Sequence, residues 1–126
     1  MPRPALSWTD AALVFAGGAA GTVLRTLLLL PTAPWWQTWG LLVVNVAGAL
    51  ALGLLTGVML RRGASERDRR VRLLLGTGLL GGFTTYSALA VHAASPLWFW
   101  TAVLTVVLGV IAAFAGLRLG RGGRAA

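Results

Sequence analysis

The chain has 126 residues, and 57% of them are apolar before its 17 glycines are counted, whereas a soluble domain reaches about 45–50% with glycine included. Only 11% are charged, too few to cover a soluble domain of this size, so most of the chain faces lipid or other apolar helices. The net charge of +8 comes from 11 arginines against Asp10, Glu66 and Asp68; those arginines flank long apolar runs, where they set membrane topology rather than bind nucleic acid.

Four apolar runs are long enough to cross a bilayer of ~30 Å at ~1.5 Å per residue. They predict an all-α membrane protein, one four-helix domain over residues 1–126 without a soluble appendage. The first span covers about residues 11–30. Its apolar part runs ~20 residues against 7–15 for a signal-peptide core, and Asp10 weakens a positive leader, so this helix is retained. Pro31 and Pro34 stop it, and Trp35 and Trp36 suit the membrane interface. The second span covers about residues 38–60 and leads into an arginine-rich hydrophilic loop. The third covers about 73–93. A short Ser95-Pro96 turn and the aromatics Trp98, Phe99 and Trp100 then lead to the fourth, about 97–117. Breaks this short make a compact antiparallel hairpin array.

Four spans place both termini and the middle loop on one side of the membrane. That side holds Arg3, then Arg61, Arg62, Arg67, Arg69, Arg70 and Arg72, and finally Arg118, Arg121 and Arg124, ten of the 11 arginines. The positive-inside rule therefore puts the termini in the cytoplasm, with the protein in the plasma membrane. Only Arg25, near the far end of the first span, departs from the pattern.

Ionisable residues inside a span are costly and mark function. No Asp or Glu falls inside these four spans, which argues against proton-coupled antiport and removes a small multidrug transporter, a class that relies on a first-helix Glu. One His, no membrane carboxylate and no Cys leave no catalytic group set, so an enzyme is not expected. His92 reads as a helix-end or interfacial residue. Residues 76–87 combine paired glycines with Thr84, Thr85, Tyr86 and Ser87 at mid-membrane depth. Such a stretch suits either a broken helix whose open carbonyls hold a cation or close packing with back-bonded hydroxyls. Asn45 suits either a donor lining an anion path or an interhelical hydrogen bond. Arg25 either snorkels or lends positive potential to an anion vestibule. Gly17 and Gly21, and Ala49, Gly53 and Gly57, recur at helix-packing intervals, inside a subunit or across a dimer. Thr101 and Thr105 lie one turn apart on one face.

Together these residues resemble the Fluc/CrcB family of fluoride channels over nearly the whole chain. Residues 17–25 resemble its first-helix Gly-rich segment ending in Arg25, residues 39–48 its second-helix segment around Asn45, and residues 78–87 its third-helix signature. The resemblance implies an antiparallel dual-topology-type dimer, a third helix broken near its middle, and two narrow fluoride pores. It also implies a structural sodium ion at the dimer centre, held by the backbone carbonyls of Gly81 and Thr84. The implied pore lining is Asn45, Tyr86, Ser87, Leu89, Thr101 and Thr105, with Arg25 near the vestibule. The implied role is passive fluoride export, limiting fluoride that enters as HF and is trapped as the anion.

Two features depart from the family. Where its pore carries two phenylalanines in a Thr-Thr-Phe-Ser-Thr-Phe pattern, this chain has Thr84-Thr85-Tyr86-Ser87-Ala88-Leu89. A Tyr ring keeps a positive edge that can face an anion, and Leu has none. An antiparallel homodimer also requires nearly balanced positive charge, whereas this chain is ten against one. The two departures together favour an oppositely oriented paralogue over a second copy as the partner. The alternative is a non-conducting membrane partner that stabilises or orients another protein.

Overall fold

The computed structural model describes residues 5–122; Arg3 and Arg124, counted in the charge bias above, lie outside the described residues. Among the described residues, four helices are long and apolar enough to cross a membrane: Trp8–Leu28, Pro34–Arg62, Glu66–Ala94 and Phe99–Gly120. Among the described residues there is no strand. We call the first helix α1 (Trp8–Leu28), the second α2 (Pro34–Arg62) and the fourth span α6 (Phe99–Gly120). The third span is composite. It opens as α3 (Glu66–Val71), widens to a π-helical stretch (Arg72–Leu80), closes with the single turn α4 (Gly81–Phe83), and continues after two residues as α5 (Tyr86–Ala94).

Local chemistry moves the helix ends from the positions expected of the apolar runs. α1 starts at Trp8 because Ser7 and Asp10 form a reciprocal capping box, Asp10 N–H donating to Ser7 Oγ at 3.2 Å and Ser7 N–H to Asp10 Oδ2 at 3.1 Å. α2 starts at Pro34, since a proline at the first helical position has no N–H to lose. α3 starts at Glu66, within the stretch expected to be a loop. Asp68 N–H donates to Ser65 Oγ at 3.1 Å, and Glu66 pairs with Arg69 at 2.9 Å and Arg70 at 3.2 Å. Charge pairs along one helix face let a hydrophilic segment extend the third span.

Asp10, expected ahead of the first span, lies in the first turn of α1 and is only 3% exposed. Arg69 reaches it at 2.8 Å and at the same time holds Glu66. This pair ties the start of α1 to the start of the third span.

The helices pack through glycine. α2 lies along α6, with Gly53 and Gly57 on one helix facing Gly116 and Gly120 on the other. A methyl group on Gly57 would stand 2.8 Å from the Gly120 Cα, and one on Gly116 2.8 Å from the Leu54 nitrogen. α1 meets the π-helical stretch in the same way, with a methyl on Gly78 standing 2.9 Å from the Gly17 Cα. Both small-residue stripes read from the sequence therefore work inside one chain, where they bring backbones close enough for dispersion to hold helices in lipid. The third span changes partners along its length: its first part packs on α1, and α5 packs on α6.

Little is buried besides these seams. Leu41, Val44, Met59, Phe83 and Ala102 are the buried apolar side chains, while residues such as Tyr86, Trp100 and Phe114 are open. The accessible surface of 8677 Å² compares with about 6,400 Å² for a globular protein of this mass. Most of the apolar surface is left to lipid or a further protein.

Candidate functional site

The polar groups of the membrane interior meet where α4 gives way to α5. Thr84 (φ −80°, ψ 154°) and Thr85 (φ −138°, ψ 120°) are extended. Two extended residues interrupt the i→i−4 ladder, and within a bilayer every group so released needs another partner. Side chains from two other helices supply them.

Asn45 on α2 meets Thr85 from both sides. Thr85 N–H donates to Asn45 Oδ1 at 3.0 Å, and Asn45 Nδ2 donates to Thr85 O at 3.4 Å. The amide thus replaces a helical turn with a two-point clamp. In doing so it takes the Thr85 N–H that a continued helix would give to Gly81 O, and leaves that carbonyl without its helical donor. One hydrogen of Asn45 Nδ2 is also left over, because the amide nitrogen carries two.

Thr85 then acts as the cap of α5. Its Oγ1 accepts from Ala88 N–H at 3.4 Å and lies 3.2 Å from Ser87 Oγ. Thr84 turns inward, its Oγ1 donating to Leu80 O at 3.0 Å, against Gly48 of α2, where any Cβ would collide with the Thr84 methyl and the Phe83 ring. Gly48 therefore sets how closely α2 approaches the junction.

Arg25 approaches from the α1 side. Its Nη1 donates to Gly82 O at 3.1 Å and to Thr84 O at 3.3 Å, and Thr22 Oγ1, one turn earlier, reaches Gly82 O at 3.5 Å. A cation here meets the partial negative charge of a helix C-terminus. The guanidinium here hydrogen-bonds protein backbone.

On the α6 side a groove of about 360 Å³ is lined by Asn45, Thr84, Thr85, Tyr86, Leu89 and Thr105, among others. Its polar members come from three spans, and no carboxylate lies among them. Thr105 is 6% exposed and donates its hydroxyl to Thr101 O at 2.7 Å, while Thr101 donates to Trp98 O at 2.6 Å. Both hydroxyls keep acceptor lone pairs after this back-bonding, with their only proton committed. Tyr86 is 82% exposed, so its ring stands clear of its own chain.

The junction thus unites Asn45, Thr84, Tyr86, Leu89 and Thr105 on one groove, with Ser87 bonded to Thr85 at its edge. Arg25 sits behind it, and Thr101 lies a turn away. His92, read as interfacial, stacks on Trp98 with ring centroids 5.6 Å apart. Sequence reasoning named Thr85 within the 76–87 stretch without giving it the role of a cap, and gave Gly48 and the Asp10–Arg69 pair no role; a Ser/Thr-type cap before the apolar run of α5 is the signal that points to Thr85.

Four apolar spans, glycine seams and an acid-free polar junction held by side chains define a multi-pass membrane protein with a built polar site inside the bilayer. Residues 12–120 match the family described as CrcB-like protein, Camphor Resistance (CrcB), and the chain belongs to that family. It is 44% identical over 95 residues to fluoride-specific ion channel FluC 1 of Cutibacterium acnes, covering 70% of this chain and 66% of that protein. It is 43% identical over 118 residues to fluoride-specific ion channel FluC 2 of Leifsonia xyli, covering 86% and 81%. It is also 41% identical over 120 residues to fluoride-specific ion channel FluC of Phenylobacterium zucineum, covering 86% and 93%.

Proposed function

We propose that this chain is a subunit of a fluoride-selective channel in the plasma membrane that lets fluoride leave the cytoplasm passively. It acts as a pore rather than an enzyme. The observation that carries this reading is the acid-free groove around Asn45 and Thr85, and the names of the relatives above supply the ion. A small anion leaving water needs hydrogen-bond donors in place of its hydration shell. The uncommitted hydrogen of Asn45 Nδ2 is one. The first-turn N–H groups of α5, at Tyr86 and Ser87, lie at the positive end of that helix and have no helical acceptor of their own. Arg25 adds positive potential from behind, and no carboxylate opposes an anion.

The groove is open and the Tyr86 ring is exposed, which supports a pore completed by a second protomer. An antiparallel arrangement accounts for the family's dual topology. The ten-to-one arginine bias and Leu89 at the position of an aromatic favour an oppositely oriented paralogue as partner, with the termini of this chain in the cytoplasm.

A sodium ion at the dimer centre fits the chemistry of the junction. Gly81 O has lost its helical donor, Thr84 O lies beyond the α-helical turn, and neutral carbonyl oxygens are the donors a hard monovalent cation takes. When bound, the ion would supply positive charge that neutralises facing carbonyls; Asn45 and the Thr84-Thr85 extension are what keep those carbonyls out of helical hydrogen bonds.

The test is fluoride efflux from liposomes, comparing the wild-type chain and Asn45→Leu, each with an oppositely oriented partner. Lost efflux in a variant that still assembles supports the assignment; unchanged efflux removes Asn45 from the path. Leu89 gives one specific reason for the second reading, a non-conducting partner. That reading predicts no efflux change when Asn45 of this chain alone is altered.

A further inference from the structure

From Glu66 to Phe83 the third span winds without interruption, and its C-terminal carbonyls, those of Gly81, Gly82, Phe83 and Thr84, gather at the junction. The usual donors of Gly81 O and Thr84 O are diverted: Thr85 N–H goes to Asn45 Oδ1, and Ala88 N–H to Thr85 Oγ1. Such an end carries partial negative charge, and in lipid it needs partners. Arg25 is the cation that reaches it. One nitrogen, Nη1, spans Gly82 O at 3.1 Å and Thr84 O at 3.3 Å. The carboxylates that form ion pairs among the described residues, Asp10 and Glu66, bind Arg69 and Arg70. Arg25 takes its counter-charge from the helix end.

We infer that Arg25 is a built-in cation for this junction and that it competes with sodium for the carbonyl of Thr84. The inference rests on the sodium reading above. A carbonyl oxygen has two lone pairs, so sharing is geometrically allowed, but it would set two positive charges a few ångströms apart in a medium where they are poorly screened. Arg25 therefore holds the junction together in a single chain, where only one Gly81 and one Thr84 are present. With a second protomer's carbonyls alongside, Thr84 O would be one of the oxygens that hold sodium, and Arg25 would keep its bond to Gly82 O, with Thr22 beside it. Arg25 so limits how tightly sodium binds, and it lets the subunit fold before the ion arrives.

The full-length chain, its Arg25→Met variant and its Arg25→Lys variant, each co-expressed with an oppositely oriented copy carrying the same residue 25, are purified as the mixed protein with N-methyl-glucamine in place of sodium. Radioactive sodium binding and dimer fraction by size exclusion are then measured against sodium concentration. Removing the charge is expected to tighten sodium binding by about tenfold or more, and to make the dimer fraction depend on sodium; Arg25→Lys, which keeps the charge, stays near wild type. Equal sodium affinity in wild type and Arg25→Met overturns the competition and leaves the sodium site standing, and weaker binding in the variant does the same. Absence of sodium binding in all three overturns the sodium reading and the competition with it. Should Arg25→Met fail to fold, Arg25→Gln carries the test, because glutamine donates to one carbonyl without the charge. Fluoride efflux recorded on the same preparations separates failure of the channel reading from either result.

Discussion

The α2–α6 seam and the Thr84-Thr85 junction solve the same problem in opposite ways. Along the seam, two intact helices satisfy their own backbones and approach through Gly53, Gly57, Gly116 and Gly120, with no polar side chain needed. At the junction the backbone is not satisfied internally, and Asn45 and Arg25 stand in for the missing helical bonds. The seam is a place where side chains are removed so that backbones can meet. The junction is a place where side chains are supplied so that backbone can open. Stability is concentrated in the first and chemistry in the second, which separates the effects of mutations in the two regions.

The largest effect is expected at the seam. Gly53→Leu would drive a side chain into the backbone of α6 near Ala113, at a cost of more than about 3 kcal/mol, and the variant should be lost from the monodisperse peak in detergent. Gly109→Ala is its control. A Cβ there would meet only the Ala49 Cβ at 4.0 Å, and stability should stay within about 0.5 kcal/mol of wild type. If both variants behave alike, backbone approach is not what holds α2 to α6.

At the junction, Asn45→Leu leaves the Thr85 N–H and carbonyl unpaired. Stability should fall by about 1–3 kcal/mol, and efflux by about tenfold or more. Asn45→Asp sharpens the comparison. It keeps an acceptor for the Thr85 N–H but places negative charge on the groove, so stability should recover part of the loss and efflux should not. Equal recovery of both would mean that Asn45 acts only as a clamp.

Asp10→Asn probes a region outside both. It weakens the tie between α1 and α3 by removing the charge that Arg69 holds at 2.8 Å. Thermal stability should drop, with efflux per folded channel unchanged. The smallest effect is expected for Leu89→Phe, which adds an aromatic edge to the groove and should raise efflux by about twofold or more.

Much of the architecture was legible because it rests on composition. Apolar runs and arginine clusters located all four spans, and recurring glycines marked the seams. The helix ends were less legible: Ser7, Pro34 and Ser65 move them through capping and proline geometry, and the paired charges of Glu66, Arg69 and Arg70 turn an apparent loop into helix. Asn45 and Arg25 stood out as polar residues in apolar stretches, yet their partners did not. Asn45 meets Thr85 across 40 residues and Arg25 meets Gly82 across 57, contacts set by the register of three packed spans. The π-helical winding of Arg72–Leu80 left no periodic trace either, since the apolar residues there surround the helix on all sides.

The most direct test of the central account is fluoride release from loaded liposomes, read with a fluoride electrode beside a chloride control. The chain is reconstituted alone and together with a copy of itself whose arginine bias has been reversed, so that the two insert in opposite directions. The account predicts selective fluoride release from the mixed preparation, reduced when Asn45→Leu is introduced in both copies, and little release from the chain alone. Absence of fluoride release from a folded, mixed dimer, or release of chloride at the same rate, would contradict it.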